Sequence, residues 1–471
     1  QSDYIRRRFD CSDFYLVYYP YILRTFGKRG SGILSEKTEN ELTDCLLGFR
    51  YWIDEPGNDA MWFWSENHAL MFHTCQLLAG ELFPDEVFTN SGLTGRQMQA
   101  KAKNMLYDWF VTFRKEGFTE WNSSPYLPID TLGFGSLYAF AQDPAMRELG
   151  REGMDFAYYL LAVHSQQGIF ASSSGRTYIK EQFGNWSNCP SGLSWIGYGY
   201  GVPGHAGKGI TSYCLSDYEP PKEFAQWFSI PRGKEMICQT TQGNDGYVDL
   251  YTYKTADYMM TSANDFHPGE PGHQENPFQL TFNAVAQLWV THPGERVLFG
   301  AARPSYWAGN GTLPKVNQYK AFAGLIYDIA PEHPVDFTHL YLPSMEFDRC
   351  EVEGKWAFVQ LGSAYAAVYC SNGIRMQDFG SNKDRECIAE GRRCIWLVRA
   401  AQADEFAAFD DFKAAMRGAA LDADAEGRRY RFVDPVYGEL RCQWGETLYV
   451  NDAPMQYSGF DNYGKLTMQE K

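Results

Sequence analysis

The sequence predicts an α+β chain of two parts: an N-terminal (α/α)n toroid of helical hairpins over residues 1–222, then a C-terminal antiparallel β-sandwich over 223–471. Apolar residues recur at three- and four-residue spacing through most of the first 165 positions, the period of a helix with one buried face. Beyond "DYEPPKEF", residues 217–224, the period shortens to two, as in strands that turn one face to a core. Helices that precede strands, rather than alternate with them, indicate segregated layers instead of a parallel sheet with crossover helices.

Helices are predicted over 12–27, 37–52, 67–82, 94–116, 128–142 and 146–165, punctuated by "FPDE", "EGF" and "AQDPA". Ser65 stands where an N-cap belongs, ahead of a helix whose apolar side is Leu70, Cys75, Leu77 and Leu78. From 165 to 222 the texture becomes rich in Gly and Ser with interspersed aromatics: "SSSGRTY", "GNWSNCPSG", "GYGYGVPGHAGKG". This predicts long cleft-forming loops attached to the helical part. Strand-like runs follow in "YVDLYTYK", "FQLTFNAVAQLWV", "KWAFVQLGSAYAAVYC", "RCIWLVRA", "RRYRFV", "ELRCQW" and "TLYVND", with a helix over 405–421 among them.

Composition narrows the function classes. The formal charge of −16 over 471 residues repels phosphate backbones, so no nucleic-acid partner is expected. An acidic glycan would need local neutralisation at its site. No apolar run approaches the ~18–20 residues of a membrane span, so no membrane partner is expected. Aromatic residues reach 16%, with 13 Trp and 31 Tyr, enough both to pack cores and to line a carbohydrate cleft. Eleven Cys without a CxxC pair resemble reduced core thiols. They point to the cytoplasm, with a secreted or periplasmic location as the alternative if a leader has been removed. Glu66, His68 and His73 do not form HExxH, and no Cys/His cluster has zinc spacing, so neither metal nor cofactor is expected. Nothing in the sequence sets the number of subunits.

Four stretches concentrate chemistry. In "FWSENHAL", Trp64, Glu66, Asn67 and His68 crowd a helix start. Capping accounts for Ser65 and Glu66, but not for Asn67 and His68 together. "EGFTEWNSSPYLPID" brings Glu120, Trp121, Tyr126 and Asp130 into one interhelical connection, which an ordinary turn with a packed tyrosine also explains. "SSSGRTYIKEQFGNW" offers Arg176 and Tyr178. "DFHPGEPGHQENPFQLTF" offers His273 and Glu275, on one face of a nascent strand by alternation, with a surface hairpin as the plainer reading.

The succession of helical hairpins and a sandwich resembles the polysaccharide lyases of the heparinase II/III and alginate (oligoalginate) lyase type. Asn67-His68 in "SENH" is similar to the Asn-His pair those families carry at a helix end. "EWNSSPY" resembles their acidic, Ser-Pro and Tyr loop, and "HQENPFQLTFNAVAQLWVTHPGE" their His-bearing entry into a strand. The resemblance implies an oligosaccharide or polysaccharide partner containing a uronate, cleaved by β-elimination. It implies Asn67 and His68 as donors that neutralise the uronate carboxylate, and Tyr126 with His273 or Tyr178 as acid and base. Arg176 would hold a carboxylate, Trp64 and Trp121 would stack on sugar rings, and Glu66, Glu120 and Glu275 would complete the binding surface. Two alternatives stay open. One is a glycoside hydrolase on the same fold using two carboxylates among Glu66, Glu120 and Asp130. The other is a carbohydrate-binding protein without catalysis. Asn67, His68, Tyr126 and Arg176 or Tyr178 are expected to line one cleft.

Overall fold

The structure, a computed structural model, describes residues 1–183, 188–203, 208–243 and 246–471. Two stretches of the predicted cleft-forming loops, 184–187 and 204–207, lie outside the described residues. The expected class is present: helices dominate the N-terminal part, and antiparallel sheets build the C-terminal part. The division is not the single cut at 222 that the sequence suggested. Residues 1–115, 126–159 and 207–221 form one compact unit, whereas 116–125 and 160–206 belong with 222–471 in the other. The loops assigned by sequence to the helical part therefore divide between the units, because backbone hydrogen bonds of 174–177 with 274–276, invisible to local periodicity, hold part of them in the second unit.

The first eight helices are α1 (Ser2–Arg6), α2 (Ser12–Leu16), α3 (Tyr19–Phe26), α4 (Glu36–Gly48), α5 (Glu66–Leu82), α6 (Gly95–Glu116), α7 (Leu127–Phe140) and α8 (Pro144–Val163), all but the ends of α6 and α8 in the helical unit. The helix predicted over 12–27 breaks at Val17 and Tyr18, and α3 restarts with Pro20 in its first turn, where a missing N–H costs nothing. α5 is buried on nearly every side, with Met71, Phe72, His73 and Gln76 enclosed as fully as Leu70 and Leu77. The one-sided stripe predicted for it is wrong for that reason: α2, α3 and α7 surround it. Ser65 occupies the N-cap, but its hydroxyl makes no capping bond; the Ser35 hydroxyl does, accepting from Thr38 N–H at 3.2 Å at the head of α4.

The second unit is a sandwich. Its larger sheet runs in spatial order Arg375–Met376, Glu386–Glu390, Phe337–Tyr341, Gln287–Thr291, Phe278–Thr281, Met259–Asn264, Val248–Lys254, Lys234–Gln242 and Lys465–Glu470. The facing sheet runs Lys315–Tyr319, Phe322–Asp328, Arg393–Gln402, Ala364–Cys370, Trp356–Leu361 and Arg349–Glu353. One apolar core joins them, with Tyr253, Leu280 and Val290 from the first and Leu325, Phe358 and Trp396 from the second. A small third sheet covers this core with Tyr430, Phe432 and Leu440, and the predicted helix among the strands spans Phe409–Gly418.

Candidate functional site

In the helical unit, Asn67 and His68 open α5 and are 2% and 6% exposed, too buried for open solvent contact. The His68 ring stacks on Phe14 at 4.7 Å between centroids, and its Nδ1 meets the wholly buried Asp13 carboxylate at 2.8 Å. Burial alone works against a charged ring. Hydrogen bonds to Asp13 and Cys11 outweigh it, and His68 is pushed up to about 10. Lys208 lies over the opposite ring of this stack, 5.3 Å from the Phe14 centroid. Tyr126 is half-buried at the head of α7 and packs on the cluster that contains Phe14 and Phe72, against which His68 lies. Trp64 is 65% exposed and meets the exposed Trp62 edge to face at 5.5 Å, a surface suited to a sugar ring. Glu66, in the first turn of α5, accepts the Trp109 indole N–H on its backbone carbonyl at 3.1 Å. Asp130 is 2% exposed on α7.

The sandwich unit gathers five more of the sequence candidates. Ser174 and Asn276 exchange backbone hydrogen bonds at 2.9 and 2.7 Å, and Thr177 N–H donates to the Gln274 carbonyl at 3.0 Å. The Gln274 side chain answers by donating to the Thr177 carbonyl at 2.8 Å. This short antiparallel pairing sets Arg176 and Tyr178 beside His273 and Glu275. Glu120 joins through the Ser123 hydroxyl, which donates to the Arg176 carbonyl at 3.0 Å, and through its own ion pair with Arg176 at 3.7 Å. Gly175 allows the approach: its N–H donates to the Trp121 carbonyl at 2.8 Å, and a Cβ there would lie 2.6 Å from the Trp121 indole nitrogen.

Two guanidinium groups flank one phenol in this group. Arg176 and Arg303 each lie 5.8 Å from the Tyr178 ring centroid, and Arg176 Nη2 stands 3.5 Å from the Tyr178 hydroxyl. His273 Nδ1 faces the Arg303 carbonyl at 3.3 Å, and a carbonyl only accepts, so Nδ1 carries the proton and Nε2 keeps its lone pair. The His273 backbone N–H donates to Glu275. Partial burial lowers His273 below its ordinary range; Glu275 opposes the shift, while Arg176 and Arg303 add to it. The ring is neutral at neutral pH. The arrangement offers two cations for an anion, a neutral imidazole and a phenol.

Trp121 must be withdrawn as a stacking surface. It is fully buried with Val248, Leu250, Ala263, Phe266 and Leu313, because its segment belongs to the sandwich unit and packs into a small apolar cluster there. His68 does not present a free nitrogen to a ligand through Nδ1, which Asp13 occupies. Sequence reasoning missed Arg303, which follows an unremarkable "GAA", and it missed Asp13, which reads as an ordinary residue in a short helix. Trp64 is the tryptophan candidate that stays exposed.

No family model matches this sequence, and no curated protein matches it. Among solved structures, the chain is similar to a heparinase III at 9% identity and a TM-score of 0.44, over 93% of this chain and 75% of that one. A second heparinase III gene product shares 9% identity at a TM-score of 0.37, over 92% of this chain and 69% of that one.

Proposed function

We propose that the protein is a polysaccharide or oligosaccharide lyase that cleaves a uronate-containing glycan by β-elimination. The carrying observation is the pair of guanidiniums over Tyr178 beside neutral His273, assembled from segments far apart in sequence. A chain of net charge −16 binds an acidic sugar only where positive charge is concentrated, and Arg176 with Arg303 supplies it. In this reading the two arginines bind the uronate carboxylate and stabilise the charge that develops on it as the C5 proton leaves. His273 Nε2 removes that proton. The C5–H electrons become the C4–C5 double bond, the C4–O bond breaks, and Tyr178 gives its proton to the departing glycosidic oxygen. Within the helical unit, taken by itself, Asn67 and His68 are the candidates for a carboxylate contact and Tyr126 for a proton transfer. Trp62 and Trp64 are the stacking candidates.

The hydrolase reading receives less support. Glu120 is engaged with Arg176, and Asp130 is enclosed in its helix bundle.

A panel of uronate-containing and neutral glycans tests the proposal. A lyase releases an unsaturated, ultraviolet-absorbing product from the uronate substrates alone. Tyr178→Phe and His273→Ala should each lower kcat by about 10²–10⁴, the usual contribution of a proton-transfer group. Arg303→Ala should raise KM as well as lower kcat. Reducing ends without ultraviolet absorbance would establish hydrolysis instead, and glycan retention without either product would reduce the protein to a binder.

A further inference from the structure

Immediately before α2, the chain places Asp10 and Cys11 against the first turn of α5. A carboxylate oxygen of Asp10, the Cys11 thiol and a ring nitrogen of His68 all lie within 4.8 Å of one another. We infer that Asp10, Cys11 and His68 form a binding site for a zinc-class divalent cation, with one coordination position left open to solvent or ligand.

The orientation of His68 is the first support. Its Nδ1 is spoken for by the buried Asp13 carboxylate at 2.8 Å, and a carboxylate accepts the N–H. The other nitrogen, Nε2, is thereby turned toward Asp10 and Cys11, and an incoming cation takes the place of its proton. A carboxylate that holds one imidazole nitrogen while the other faces a cation is the usual support of a metal-bound histidine, fixing both tautomer and ring angle.

Asp10 supplies independent support. Although its side chain is about half exposed, Oδ1 itself is shielded from solvent and accepts no hydrogen bond. It stands 3.7 Å from His68 Nε2, too far for a hydrogen bond. A shielded carboxylate oxygen with no donor is costly, and a cation between it and the ring removes the cost.

Spacing agrees. Two donors each ~2.0–2.3 Å from a tetrahedral ion stand roughly 3.3–3.8 Å apart. The Asp10–His68 separation already falls there, and the widest pair in the group needs to close by about 1 Å. The donor set selects the ion. Thiolate and imidazole favour zinc and its borderline-soft neighbours, whereas calcium and magnesium demand oxygen throughout. Three protein donors leave a fourth position free. All four residues belong to the helical unit, so the site stands whether or not the lyase reading holds.

The test uses the full chain. Protein stripped with chelator, reloaded with zinc and desalted should retain one zinc per chain by elemental analysis. Cobalt loading should produce a thiolate-to-cobalt charge-transfer band. Cys11→Ser should abolish that band and the stoichiometric zinc, as should Asp10→Asn, while Cys214→Ser, at an exposed cysteine outside the group, should leave both intact. Asp13→Asn should weaken zinc binding by about 10- to 100-fold, the usual effect of removing a ligand's supporting partner. Circular dichroism and thermal melting report whether each variant folds. If Cys11→Ser fails to fold, the wild-type cobalt spectrum and Asp10→Asn decide. No retained zinc, no thiolate band, or zinc retained equally in Asp10→Asn would overturn the site.

Discussion

At the scale of single residues, protonation separates His68 of the helical unit from His273 of the sandwich unit. His68 has its Nδ1 against a buried carboxylate and is held in its charged form well beyond neutrality. His273 is depressed below its ordinary value by partial burial beside two arginines. Only His273 is therefore neutral, and competent as a base, at pH 7. If it takes the proton, kcat/KM on a uronate substrate should be flat near neutrality and fall on the acid side through a pKa below the ordinary histidine value of ~6.5. A pH–rate profile from pH 4 to 8 measures this. Replacing Arg303 with Ala removes one neighbouring cation and should move the acid limb toward higher pH. An acid limb that stays put in that variant would remove His273 from the base position.

At the scale of elements, the helical unit depends on close approach between α5 and α7. A Cβ at Gly133 of α7 would meet Leu70 of α5 at 2.8–2.9 Å and the Met71 sulfur at 3.3 Å. α5 is enclosed on its other sides, so Leu70 has nowhere to retreat. Gly133→Val should destabilise the protein by about 1–3 kcal/mol through overpacking, read as a lower denaturation midpoint with unchanged m-value. Because Asn67 and His68 open α5, the same variant should also loosen their placement. In the sandwich unit the decisive element is the short pairing of 174–177 with 274–276, which brings two separate loops into one group.

At the scale of the whole molecule, buried histidines set the response to pH. His73, His164 and His292 are each lowered to about 3, all chiefly by burial. Their folded values lie below the unfolded ~6.5, so the unfolded chain binds more protons once the pH drops below that value. Each then removes about 1.4 kcal/mol of stability per pH unit until its folded value is approached. In the metal-free chain His68 acts in the opposite sense. Its value of about 10 exceeds the unfolded one, so its contribution is whole below ~6.5 and lost as the pH rises toward 10. Calorimetric unfolding midpoints should peak near neutral pH, fall steeply between pH 6 and 4, and decline more gently between pH 7 and 10. His164→Asn, which keeps a polar group beside Thr252, should flatten the acid side relative to the wild type.

Local pattern carried the helices, most of the named strands and the helices-then-sheets order, and it named five residues that the structure groups around Arg176. Helical and strand periods are set within a few residues, and Arg176, Tyr178 and His273 announce themselves by chemical type. Burial and partnership were not legible. Trp121 and Trp64 look alike in the sequence, yet one is buried in a small apolar cluster of the sandwich unit and the other lies exposed. Arg303 and Asp13 carry no local sign, because what gives each its meaning is a residue more than fifty positions away. Sequence by itself determined which segments are helices and strands and which chemical groups the chain holds. Only tertiary structure decided which of those groups meet, since backbone pairing and core packing act between segments whose separation along the chain says nothing of their distance in space.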